Sequence, residues 1–307
     1  MRLIEPDVEY WAQGQDAIEH IARCARVCYA SDKSGDSVAL VDRLKVKNHL
    51  SMFRHMTSYY HLGDGAVVSR GIVRFIMHSN YCSCVLVGSE KAKNPKHIYI
   101  AVNGQFALEH SDMMSVLAPY EVSERQFLKL AMEQRSPSTF YAMVMMMRHT
   151  VCVTTQISTS RELNRKSPNN IAEQSTRYVN FSKRGKGICI CKPALWESWS
   201  WWQRKRMKLA WWVSEKIYLS LVRHGMADKN FSKATSLAPE HARGVLPLDT
   251  ATKVVYTYSG TEWQQIFDLR LRGTTGKPHP NVVRIADLIR DEIMAHNPYF
   301  KEYGIEL

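Results

Sequence analysis

Between residues 143 and 168 the chain has room for one strand, one short helix and little else. The run MVMMMRHTVCVTTQI, residues 143–157, ends in alternating, β-branched residues, a pattern that suits a strand. A helix is expected at once, because Thr159 can cap it and Glu162, three residues on, completes a capping box. Pro168 then stops it: proline cannot continue the hydrogen-bond ladder and pushes Ser167 out of helical angles. The loop that follows crowds polar side chains as far as Tyr178. A strand, a short helix and an irregular polar loop form a unit that projects side chains into a cleft.

The rest of the chain alternates helical and extended patterns. Apolar spacing predicts a helix over 15–30, and the second half of 36–56 reads as helical. Residues 57–106 mix short β-rich runs, such as HIYIAV at 97–102, with polar breaks. Residues 121–135 suit a short helix, 196–224 a long one and 233–245 another, before a β run at 252–259. Two helices separated by the 273–280 loop close the chain. In the long helix, tryptophans at 196, 199, 202, 211 and 212 suggest a packed stripe beside a basic QRKRMK face. A core or subunit-interface role is the commoner reason for such a stripe, with stacking on single-stranded nucleic acid as the other.

Composition narrows the setting. No run of about 18 apolar residues is present to span a membrane. The opening MRLIEPDVEYW carries acids where a signal peptide has an apolar core, so a cytoplasmic location is expected. Seven cysteines, an odd number, lack the spacing of a zinc knuckle; they read as core thiols, and no metal is expected. The formal charge of +12 fits anionic partners, and charge alone does not choose among them.

Within 160–178, Arg161, Arg165, Lys166 and Arg177 are cationic, Glu162 and Glu173 are carboxylates, and Ser167, Asn169, Asn170 and Ser175 supply hydroxyls and amides. Guanidinium forks suit phosphate and the polar edge of a base. No Gly-rich phosphate turn and no hydrolytic triad stand out. From the residues alone, this is either a phosphate-and-base recognition loop or a solvated loop.

Arg165, a seven-residue gap, then Ser175-Thr176-Arg177-Tyr178 resembles the R-H-R, seven residues, S-x-R-Y signature of the flavin-dependent thymidylate synthases. His49 to His55 is similar to that family's H-x-S-x-x-E-H segment, Ala242 to Leu248 to its A-R-x-x-L-P segment, and Trp263 to Arg270 to its W-x-x-F-x-x-L-R segment. The departures are Lys166 for the signature histidine, Ser167 for the second arginine, and Arg54 where an acid is expected. The resemblance implies an α/β fold, a mixed β-sheet flanked by helices, in one domain over 1–307 with an insertion at about 57–140. It implies methylation of dUMP to dTMP with methylenetetrahydrofolate as one-carbon donor, FAD as cofactor and NADPH as reductant. It also implies a homotetramer with active sites shared between subunits, small-molecule substrates, and neither a membrane nor nucleic acid as partner.

Residue by residue, the resemblance puts Glu162, Glu173, Ser175, Arg177, Arg243 and Arg270 on the nucleotide, with Arg177 and Arg243 on its phosphate. Arg270 and Ser175 are the catalytic candidates, Arg270 by polarising the uracil ring. His55, Arg165, Lys166, Ser167 and Asn170 fall to FAD. Ser167 cannot replace a guanidinium fork, so a weaker hold on flavin is expected. Two other outcomes stay open: a flavin- and folate-dependent hydroxymethylase, and an inactive relative that binds nucleotide or nucleic acid.

Overall fold

A computed structural model describes residues 1–14, 16–31, 35–88, 95–166, 168–182, 187–223 and 237–307. Its strands are β1 (Arg2–Ile4), β2 (Asp7–Tyr10), β3 (Thr57–Leu62), β4 (Cys82–Val87), β5 (His97–Asn103), β6 (Glu121–Val122), β7 (Arg148–Gln156), β8 (Ile171–Glu173), β9 (Cys189–Cys191) and β10 (Ala251–Ser259). They form a central sheet in the order β2-β7-β10-β8, a second sheet in the order β4-β5-β3-β6, and the pair β1-β9. Neighbours in both larger sheets are antiparallel, while β1 and β9 are parallel. The fold is α/β, with sheets flanked by helices.

The central sheet is covered on both faces, and strand periodicity explains how. Successive residues point to opposite sides. Val151, Val153, Val254, Tyr256 and Tyr258 join a core with Trp263, Phe267, Ile285 and Ile289 from the Gly260–Arg270 and Pro280–His296 helices. Cys152 and Val255 point the other way, onto Trp11 and Cys24, the latter from the Ala17–Tyr29 helix. The second sheet adds Tyr59, Tyr99 and Ala101 to the main core, and closes its other face with Ile76, Phe106 and Leu117. The described residues of 57–122, within the stretch expected as an insertion, therefore build a layer fused to the central core.

Several expectations shift in register. The helix after β7 is Ile157–Leu163; Gln156 is its N-cap and gives no side-chain cap bond. The capping box expected of Thr159 and Glu162 is therefore absent. The backbone N–H groups of Ile157 and Ser158 already donate to Thr250 and Leu248 carbonyls, so the helix starts directly off the strand. A capping box forms instead at Ser259 and Glu262, where β10 turns into the Gly260–Arg270 helix. In 36–56 the α-helix occupies the first half, Ser37–Val46, because Asp36 caps it by accepting from Val38 and Ala39 N–H; a 3-10 turn, Leu50–His55, follows. The first half of 143–157 closes the Pro137–Met146 helix, and β7 takes the second half. The long helix is Trp201–Arg223, preceded by a 3-10 turn at Trp196–Ser198. Of the helix expected over 233–245, residues 233–236 lie outside the described residues, and Pro239–Ala242 is helical.

Candidate active site

β7 and β8 both run antiparallel to β10, from its two sides, so both end where β10 begins. The Ile157–Leu163 helix, the loop after β8 and the turn Arg243–Val245 gather toward that edge of the sheet. Glu173, the last residue of β8, ties them together. Its carboxylate accepts from Ser160 Oγ at 2.7 Å, Asn164 Nδ2 at 3.1 Å and Thr252 Oγ1 at 3.2 Å. Asn164 Oδ1 in turn accepts from Tyr256 Oη at 2.9 Å. With three donors on two oxygens, Glu173 orders the helix and strands around it.

The chain beyond Glu173 is pinned by backbone bonds: Gln174 N–H donates to Lys253 O and Ser175 N–H to Cys28 O. Ser175 Oγ then accepts from Arg177 N–H at 3.2 Å, fixing the turn that carries the arginine. Arg243 reaches the same turn, donating from Nη1 to Thr176 Oγ1 at 3.2 Å across 67 residues of sequence. Arg177 meets Glu240 at 3.4 Å, and both side chains are about half exposed, 53% and 41%. Two guanidiniums thus stand together at the rim with loose protein partners, an arrangement able to take a dianion.

A second cationic group lies along the Gly260–Arg270 helix. Arg270 Nη2 donates to Glu162 O at 2.7 Å. Glu162, Arg165, Lys166, Gln265 and Arg270 line a small cavity of about 130 Å³, and Lys166 Nζ donates to Gln265 Oε1 at 2.6 Å. Arg270 and Glu162 therefore meet, and Arg243 reaches the turn that carries Arg177. Within one chain no hydrogen bond or ion pair joins the two groups among the described residues. Ser160 and Glu173 connect the elements that carry them.

Of the signature departures, Lys166 faces a larger cleft, about 510 Å³, between the two sheets. Tyr81, Ser83, Arg148, Lys166, Pro168 and Thr261 are among its walls. Arg148 is 8% exposed; its Nη2 donates to Arg54 O and Thr257 O, and its Nε has no partner. Arg54 crosses from the 3-10 turn to donate to Asn169 O at 2.8 Å, Gln105 Oε1 at 2.5 Å and Tyr81 Oη at 3.2 Å. His55 lies fully buried, with Nδ1 2.8 Å from Thr257 Oγ1. Burial pushes its pKa down to about 3, with the nearby His20 and Arg148 acting in the same direction, so the ring is neutral. Asn170 is buried as well, and neither amide atom has a partner. Ser167 lies outside the described residues.

Sequence reasoning missed Arg148, the group that most strongly marks the cleft. A lone charge inside MVMMMRHTVCV was the available signal, since an arginine flanked by apolar strand and helix is buried with partners or not at all.

Two solved structures of a UMP/dUMP methylase, PolB from Streptomyces cacaoi, align with the chain. With 5-Br dUMP bound, the identity is 15%, the coverage 99% of this chain and 96% of that one, and the TM-score 0.43. With 5-Br UMP the figures are 14%, 99%, 97% and 0.41. No curated protein matches the sequence. The profile of the family described as thymidylate synthase complementing protein matches residues 92–299, more than half of the chain, and leaves out of the site the 49–55 segment and the Tyr81–Ser83 wall of the cleft. This chain belongs to that family, the flavin-dependent thymidylate synthases.

Proposed function

We propose that the protein methylates dUMP at carbon 5, with methylenetetrahydrofolate as one-carbon donor, NADPH as reductant and FAD as cofactor. The observation that carries the reading is the meeting of Arg177 and Arg243 on the Ser175–Thr176 turn. A nucleoside monophosphate carries about two negative charges near neutrality, and two forks with weak internal partners match it. Arg270 has its guanidinium held by the Glu162 carbonyl, which fixes its direction without neutralising it. Aimed at a uracil carbonyl, it stabilises the negative charge that builds on the ring as carbon 5 becomes nucleophilic. Glu173 keeps the Ser160 and Thr252 hydroxyls turned inward and so sets the floor under the nucleotide. A site built from two groups in one chain suits completion by a second protomer, and a homotetramer with shared sites belongs to this proposal.

The cleft between the sheets fits FAD. The unpartnered Arg148 Nε and the Lys166 ammonium suit a diphosphate, Ser83 and Thr261 supply hydroxyls, and Tyr81 offers a ring. Bound there, FAD would supply the reducing equivalents that turn a transferred one-carbon unit into a methyl group. His55 and Asn170 sit behind Arg148, joined to it through Thr257, and Arg165 lines the smaller cavity that shares Lys166 with this cleft. The test is incubation of purified protein with dUMP, methylenetetrahydrofolate, NADPH and FAD, followed by product mass. Thymidylate is expected; hydroxymethyl-dUMP would replace the reading with the hydroxymethylase, and no product, with no dUMP binding, would overturn it.

A further inference from the structure

We propose that the outward face of the Trp201–Arg223 helix is a docking surface for single-stranded nucleic acid, separate from the nucleotide site. The helix packs inward through Trp211, Glu215, Tyr218 and Val222, spaced at helical intervals and all buried. Trp196 and Trp211, 4% and 2% exposed, stack at 5.4 Å between centroids and satisfy the core on this side. Trp201, Trp202 and Trp212 are left out at 58%, 63% and 49% exposure. The expected packed stripe is thus two stripes, and among the described residues nothing in the chain covers the outer one.

Cations share that outer stripe. Lys205 Nζ lies 4.2 Å from the Trp201 ring centroid and 5.9 Å from that of Trp202; Lys216 Nζ lies 5.6 Å from that of Trp212. Glu215, the only acid in the helix sequence, points inward and accepts from Ile188 N–H at 2.8 Å. The face is therefore aromatic and cationic with no carboxylate of its own helix to compensate it. From Trp201 to Ile217 it runs about 24 Å at the usual helical rise.

The mixture decides the occupant. A helix that lies on a membrane separates its apolar side from its cationic side; here indoles and ammoniums alternate on one side. A second copy of the same face would set lysine against lysine. Single-stranded nucleic acid takes both groups at once, with bases stacking on indoles and phosphates meeting the ammoniums beside them. Stacking is indifferent to base identity, so the surface binds strands with little sequence preference.

The test is an anisotropy titration of a labelled oligothymidylate of roughly a dozen nucleotides, without dUMP or FAD. The intact chain is expected to bind, with tryptophan quenching and a log–log salt slope of about −1.5 to −2 for two to three neutralised phosphates. Lys205→Glu with Lys216→Glu should weaken binding at least tenfold, and Trp202→Ala with Trp212→Ala should remove most of the quenching, both with unchanged circular dichroism. Absence of binding at low salt overturns the proposal, as does affinity insensitive to both variants. Capture by anionic phosphatidylserine vesicles without oligonucleotide binding would give the face to a membrane. A drop in sedimenting mass in the tryptophan variant, with oligonucleotide affinity intact, would give it to a second copy.

Discussion

The arginines of the rim and those of the sheet junction are the same residue type used in opposite ways. Arg177 and Arg243 are exposed and touch protein at 3.4 and 3.2 Å. Arg148 is buried, and its Nη2 is held by two backbone carbonyls at 3.1 and 2.9 Å. Exposed, loosely partnered guanidiniums contribute little to folding and are free for a ligand. A buried one is costly to strip of its partners, because the carbonyls around it lose their donors together. The rim should therefore answer to nucleotide and the junction to stability.

The widest separation should appear with pH. His20 and His55 lie beside the junction with pKa values pushed down to about 4 and about 3, chiefly by burial, and His149 to about 3 for the same reason. Their folded values lie below the unfolded one, so their stability is fully present above roughly pH 6.5 and lost as pH falls toward the folded values. Urea midpoints from pH 7 to pH 4.5 should fall steeply, on the order of 1 kcal/mol per pH unit for each histidine. A flat profile over that window would mean that the junction opens to water.

Next in size is Arg148→Ala, expected to destabilise by about 3 kcal/mol in denaturant and to loosen FAD. Arg148→Lys should recover part of the stability and little of the flavin, since an ammonium cannot span both carbonyls and the cleft. Arg177→Ala should lower dUMP affinity by about 2 kcal/mol in calorimetry, as loss of a charge-assisted contact, while the urea midpoint stays put. Unchanged dUMP affinity would remove the rim from the site. The smallest effect belongs to Glu240→Gln: it frees Arg177 from its exposed partner, so stability should change by no more than about 0.5 kcal/mol and dUMP should bind slightly tighter.

Legibility followed how local each cause was. Pro168, the alternating half of 143–157 and the spacing of 15–30 were readable because turn chemistry and periodicity act over a few residues. The helix start at Ile157 was misread because Thr250 and Leu248, nearly a hundred residues away, take the N–H groups of Ile157 and Ser158 and let the helix begin before Thr159. Arg54 looked like a substitution in a motif, and only the fold reveals its reach to Asn169, Gln105 and Tyr81. Trp202 and Trp212 read as a core or subunit-interface stripe, and in the single chain both are exposed, because apolar spacing tells that a helix has faces, not which face finds a partner.

By itself the sequence determined the family and the broad alternation of helices and strands, since these reside in residue type and spacing. Tertiary structure alone decided which guanidiniums are spent on the fold and which are left for a ligand. That choice depends on desolvation and on carbonyls supplied by distant strands, and neither is written in any local stretch of chain.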